Sequence, residues 1–253
     1  MQRTDSSEAK IQIVETGKQP LLEIISGFYT TLVVNALSWN KAYALYPQPS
    51  FLYHKTYLLR SMSDYFGRLL AKYDERGWQS QDFLWPEDEA SHGSMLVPRR
   101  VGDRFTWMIS LDDKGIDRAE MPDSVLEYAS WSLSKMKKDR GLEPHYDMPF
   151  YTTSASSFSA LTLRYRYIFH SEPGGFWLFF LGPRLDRSSL MELCKIPLSA
   201  RSQQIQDVMQ GNPANIRKIE CELVRCGIKL PSYDHMIPVW YAEWEKQKAL
   251  KAK

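Results

Sequence analysis

The chain has 253 residues, room for one large domain or two small ones, and its 43% hydrophobic and 25% charged content belongs to a folded protein rather than a disordered one. A formal net charge of +2 excludes a binder that holds nucleic acid through bulk basicity, so any anion binding has to come from local clusters. Three cysteines form neither a disulfide framework nor a metal-spaced set, which predicts reduced thiols and a cytoplasmic or nuclear, not secreted, protein.

Residues 1–19 read as a flexible N-terminal arm. Met1–Lys10 has no apolar run and so no secretory signal, while Ile11–Val14 suits a short strand. From Leu21 the apolar spacing is helical, through Ile25, Phe28, Leu32, Ala36 and Trp39. The uncharged run Ile24–Asn40 is shorter than the roughly 20 residues of a membrane span and carries Ser26, Thr30, Thr31, Asn35 and Ser38, so a buried helix is predicted. A second helix is expected over Phe51–Arg76, capped by Gly77 and paired antiparallel with the first.

Beyond a polar loop over 78–93, Gly102-Asp103 predicts a type II′ hairpin turn between Met95–Val101 and Arg104–Leu111. Asp123–Arg140 reads as a third helix. A second hairpin is expected from Leu163–His170, where Arg164, Arg166 and His170 share one face, to the wholly apolar Phe176–Leu181. Short helices follow over Asp186–Lys195 and Ser199–Gln210, then one from the cap Asn212 to Gly227, and a last one from Pro238. The expected fold class is α+β, mostly helical: a small antiparallel sheet of two hairpins packed by six to seven helices. Residues 20–245 would form a single globular domain with a sub-boundary near 183–186, and 246–253 a basic tail.

Phosphate-cradling glycine patterns and the Gly-x-Ser-x-Gly elbow are absent, and the five histidines do not pair within a helix turn, so no cofactor, metal site or catalytic residue is assigned. Cys226 near His235 is an inert thiol on a helix stripe. Asp103, Asp112 and Lys114 have the spacing of a metal-dependent nuclease or phosphoesterase, in which carboxylates hold a divalent cation and the lysine orients water. The favoured reading of Asp112–Gly115 is an ordinary turn.

Strand-borne arginines are the better candidates. Arg164, Arg166 and His170, joined by Arg99, Arg100 and Arg104, offer guanidinium forks for phosphate beside rings on which bases stack. The aromatic content of 13% also points to association surface. The expectation is a non-enzymatic binding or assembly protein that self-associates as a homo-oligomer and contacts RNA or other nucleic acid, in the manner of nucleoproteins and coat proteins, with no membrane partner. A metal-dependent nuclease and a helical protein–protein interaction scaffold are the alternatives.

Overall fold

Short strands and turns, more than long helices, build the first two thirds of the chain in the computed structural model, which describes residues 15–88, 93–115, 117, 120–136, 149–170, 175–210 and 219–251. The chain is a mixed α+β protein with several small sheets. Its elements are α1 (Pro20–Gly27), β1 (Asn35–Leu37), β2 (Lys41–Ala44), β3 (Lys55–Tyr57), α2 (Asp64–Asp74), β4 (Gln79–Gln81), β5 (Arg99–Arg100) and β6 (Trp107–Ser110). They continue with α3 (Ser124–Glu127), β7 (Ser130–Met136), β8 (Phe150–Ser154), β9 (Ser156–Phe158), β10 (Tyr167–Phe169), α4 (Gly182–Cys194), α5 (Gln203–Gln210), α6 (Glu220–Arg225) and α7 (Ile237–Lys251).

Two antiparallel sheets have strand orders β1-β2-β6 and β5-β7-β8; β9 and β10 pair antiparallel, and β3 and β4 pair parallel. The parallel pair is bridged by α2, as a parallel connection requires. Ser63 starts that helix, its hydroxyl accepting the Phe66 N–H at 3.3 Å, and Gly77 ends it with φ of 92°, a value that glycine adopts without strain. The predicted helix over 51–76 is therefore shorter. Phe51 and Leu52 lie in a π-helical turn, His54 takes φ of 51°, and Thr56 and Tyr57 enter a buried strand.

Other expectations change for similar reasons. The first helix stops at Gly27, because the chain turns extended at Phe28 and its run of Thr30, Thr31, Val33 and Val34 disfavours helix. Its predicted antiparallel partner is replaced by β3, α2 and β4. Among the described residues no helix is long and apolar enough to cross a membrane.

The third predicted helix is cut to α3, since Ser130–Met136 alternates in period two, with Trp131 and Leu133 buried between outward serines. Neither predicted hairpin forms. β5 pairs with β7 and β6 with β2, while β10 pairs with β9. Phe176–Leu181 is a π-helical turn leading into α4, whose first turn holds Pro183. An apolar run of that length cannot be told from a helix by periodicity. The strand Ile11–Val14 and the cap Asn212 lie outside the described residues.

Two main cores result. One gathers Tyr43, Tyr46, Met95, Val101, Trp131 and Tyr151. The other gathers Phe158, Tyr167, Phe176, Trp177, Leu181 and Ile237, with Tyr128, Tyr241 and Trp244 packed on it.

Candidate functional site

At β5 the chain alternates, and the two arginines separate. Arg99 is 2% exposed. Its Nε donates to Asp103 Oδ2 at 2.6 Å, and its Nη2 donates to Asp103 Oδ1, the Leu45 carbonyl and Thr106 Oγ1. The rings of Tyr46, Phe105 and Trp131 stand 5.4 to 5.6 Å from its guanidinium carbon. Such a guanidinium is saturated from inside the protein and holds a loop together.

Asp103 is its counterpart. It also accepts the N–H groups of Arg100 and Phe105, at 3.1 and 2.9 Å. Burial pushes its carboxyl up, but the Arg99 hydrogen bonds and charge, with the two N–H groups, outweigh this and hold it below the ordinary carboxylate value. This carboxylate folds 99–106 into a compact loop. Gly102 has no positive φ here, so the loop is not a type II′ turn. Glycine is needed for close approach instead: a Cβ at 102 would meet the Glu127 carbonyl oxygen at 3.0 Å and Arg100 Nη1 at 3.0 Å.

Arg100 turns the other way. Its guanidinium carbon lies 4.8 Å from the Tyr128 ring centre and 4.9 Å from that of Tyr241, in cation–π contact with two rings that themselves meet edge to face, 5.0 Å between centres. One N–H goes to the Glu127 carbonyl at 3.1 Å. The Glu127 carboxylate is drawn elsewhere, to Lys41 at 2.7 Å. Among the described residues no carboxylate pairs with Arg100.

Arg100 borders a cleft of about 90 Å³, lined also by Tyr128, Ser130, His170, Phe176, Tyr241 and Trp244. His170 is fixed by its own N–H, which donates to Ser130 Oγ at 3.0 Å, and by Nδ1, 3.1 Å from Ser132 Oγ. Burial pushes the Tyr128 and Tyr241 phenols up against the opposing pull of Arg100, so both remain O–H donors at neutral pH. A cation, phenol hydroxyls and ring faces in one small recess suit a phosphate or the edge of a planar base.

The structure thus brings together Arg100 and His170, with Arg99 behind them. It sets the other predicted cations apart. Arg164 is exposed, pairs with Glu120 and borders a separate hollow of about 580 Å³. Arg166 is exposed, and its carbonyl accepts from Gln19. Arg104 is exposed and lies over the ring of Phe105 at 4.7 Å. Arg164 and Arg166 fall before the short strand β10, so the shared face expected of them with His170 does not exist. Phe179, within the wholly apolar run Phe176–Leu181, is 62% exposed.

Asp112 accepts the Lys114 N–H at 3.2 Å, closing a turn. Among the described residues, no three His, Cys, Asp or Glu side chains converge as a metal site would need. Cys226 is exposed, and its thiol points at Glu222.

Sequence reasoning missed Tyr128, Tyr241 and Trp244 as site residues. The spacing of Tyr241 and Trp244, one turn apart on α7, was a usable signal of a shared face. Comparison of the chain with protein-family models, with curated proteins and with solved structures gave no match.

Proposed function

We propose that this chain is a non-enzymatic binding protein that contacts nucleic acid at the Arg100 cleft and acts as an assembly of its own copies. The observation that carries the reading is Arg100 itself: a guanidinium against the adjoining rings of Tyr128 and Tyr241, beside His170, with no carboxylate partner among the described residues. Surface arginines in folded proteins are usually paired, as Arg164 is with Glu120. An arginine held by rings keeps its charge for a ligand.

The cleft's volume supports the choice of ligand. About 90 Å³ admits a single phosphate or the edge of one ring, not a whole nucleotide. A polymer that repeats such groups gains through multivalency what one recess cannot supply. The exposed arginines 104 and 166 are available to a strand that runs onward over the surface. Three exposed free cysteines support a reducing compartment, the cytoplasm or the nucleus.

The test is fluorescence anisotropy of a labelled single-stranded RNA, titrated at two salt concentrations. Binding should weaken steeply with salt, and Arg100→Ala should weaken it about tenfold at fixed salt. RNA that does not bind, or that binds wild type and Arg100→Ala alike, would sink the reading.

A further inference from the structure

The Arg100 cleft offers a ligand hydrogen-bond donors far more than acceptors. Accepting atoms around it are engaged from within the protein. The Glu127 carbonyl takes the Gly102 N–H at 2.8 Å and an Arg100 N–H at 3.1 Å, and the Gly175 carbonyl takes the Phe179 N–H at 3.2 Å. Ser130 Oγ takes the His170 N–H at 3.0 Å. A hydroxyl that accepts in this way keeps its own hydrogen to give, so Ser130 lines the cleft as a donor.

His170 adds a second donor. Its Nδ1 is held 3.1 Å from Ser132 Oγ, which leaves Nε2 as the ring nitrogen for a ligand. An imidazole whose Nδ1 accepts the serine hydroxyl carries its hydrogen on Nε2. Arg100 supplies the charge, with more N–H groups than the Glu127 carbonyl can take. Among the described residues no carboxylate lines the cleft.

These donors discriminate among the groups that a nucleic-acid strand can insert. A base edge brings donors of its own, and each one buried without a partner costs affinity. A phosphate brings acceptors alone. Size then separates a phosphate at a strand end from one inside the chain, because about 90 Å³ holds a single tetrahedral group. An internal phosphodiester has only two free oxygens and must lead a sugar out on each side, against walls formed by Phe176, Trp177, Tyr241 and Trp244. A terminal phosphomonoester enters head-on with three free oxygens and a charge of about −1.5 to −2, and leaves one sugar outside.

We propose that the Arg100 cleft seats the terminal phosphomonoester of a nucleic-acid strand, its free oxygens shared among Arg100, the Nε2–H of His170 and the hydroxyl of Ser130. The proposal rests on the nucleic-acid reading above and narrows it to the phosphorylated end of the strand. His170 and Ser130 then set specificity, since they meet the oxygen that a phosphodiester lacks.

The experiment is fluorescence anisotropy at one salt concentration with a single RNA sequence, the dye on a base within the strand. The strand is prepared with a 5′-phosphate, with a 3′-phosphate, or with hydroxyls at both ends. At least one phosphorylated form should bind about tenfold tighter than the hydroxyl-ended strand, and the form that does so tells the 5′ end from the 3′ end. That ratio should fall toward one in His170→Ala, and in Arg100→Lys, which keeps the charge without the forked donors. Circular dichroism checks the fold of each variant, and the wild-type ratio stands as a test without them. Strands that bind alike whatever their ends overturn the proposal and leave the nucleic-acid reading in place. A ratio that folded variants do not change overturns it too. So does a phosphoserine peptide that displaces the strand as well as the phosphorylated RNA does, for the cleft would then serve proteins. Binding by no strand at all sinks the nucleic-acid reading and this proposal with it.

Discussion

Arg99 and Arg100 are neighbours on β5 and serve opposite sides of it: the first closes an internal ion pair with Asp103, the second lies over the rings of Tyr128 and Tyr241. Two identical side chains therefore divide structure from ligand contact by strand alternation alone. Their substitutions should separate in the same way.

Replacing Arg99 with Ala strands the Asp103 carboxylate, the Leu45 carbonyl and Thr106 inside the protein. We expect a loss of about 3–5 kcal/mol in urea unfolding, because one partner of a buried pair is left unpaired. Arg99→Lys should fall between, since an ammonium cannot make the forked contact.

Arg100→Ala should leave the unfolding free energy in urea within about 1 kcal/mol of wild type, for it gives up ring contacts and one hydrogen bond at a half-buried site. RNA affinity should carry the effect. Gly102→Ala should reduce affinity too, by displacing Arg100 Nη1 or the Glu127 backbone. Equal RNA binding by Gly102→Ala and wild type would contradict this.

Acid stability follows from two carboxylates held low. Burial pushes Asp103 and Asp123 up, but Arg99 in one case, and Lys41 with Asn40 in the other, win and depress both. A depressed carboxylate contributes stability that is complete above its unfolded value of about 4 and is lost as pH falls through the folded value. Melting temperature should thus drop as pH is taken below about 4, and Asp123→Asn should flatten that drop. An unchanged slope in Asp123→Asn would refute the assignment.

Asp234 is a further structural carboxylate, 4% exposed. It accepts the Arg164 N–H at 2.7 Å, the Tyr165 N–H at 3.4 Å and the Tyr167 hydroxyl at 3.0 Å. Burial, then the charge of Asp234, pushes the Tyr167 phenol up and keeps it a donor. Asp234→Ala should cost about 2–4 kcal/mol by chemical denaturation, and Asp234→Asn less.

Where local chemistry decides, the fold was legible. Gly77 with φ of 92° after α2, and Gly227 with φ of 66° after α6, mark helix ends that a reader of the sequence finds, whereas α4 starts at Gly182, four residues before the Asp186 that the sequence suggests. β7 stayed hidden because Pro122 and Gly141 read as the two limits of one helix that spans it, although Trp131 and Leu133 have the spacing of a strand. His54 broke a predicted helix through a positive φ that no propensity announces. Of the site, Arg100 and His170 could be named from sequence as basic residues near aromatics. Tyr241 and Trp244 could be read as one helix face, but not joined to Tyr128 and Arg100, because residues far apart in the chain meet only after the sheets and α7 have packed.

The cleft lies where the two main cores meet. Ser130 adjoins Trp131 of the first, and Phe176 with Trp177 belongs to the second. A ligand seated there would act as a staple between two apolar bodies that already share β10, whose Ile168 packs in the first and whose Tyr167 and Phe169 pack in the second. Occupancy should then raise the melting temperature of both cores together.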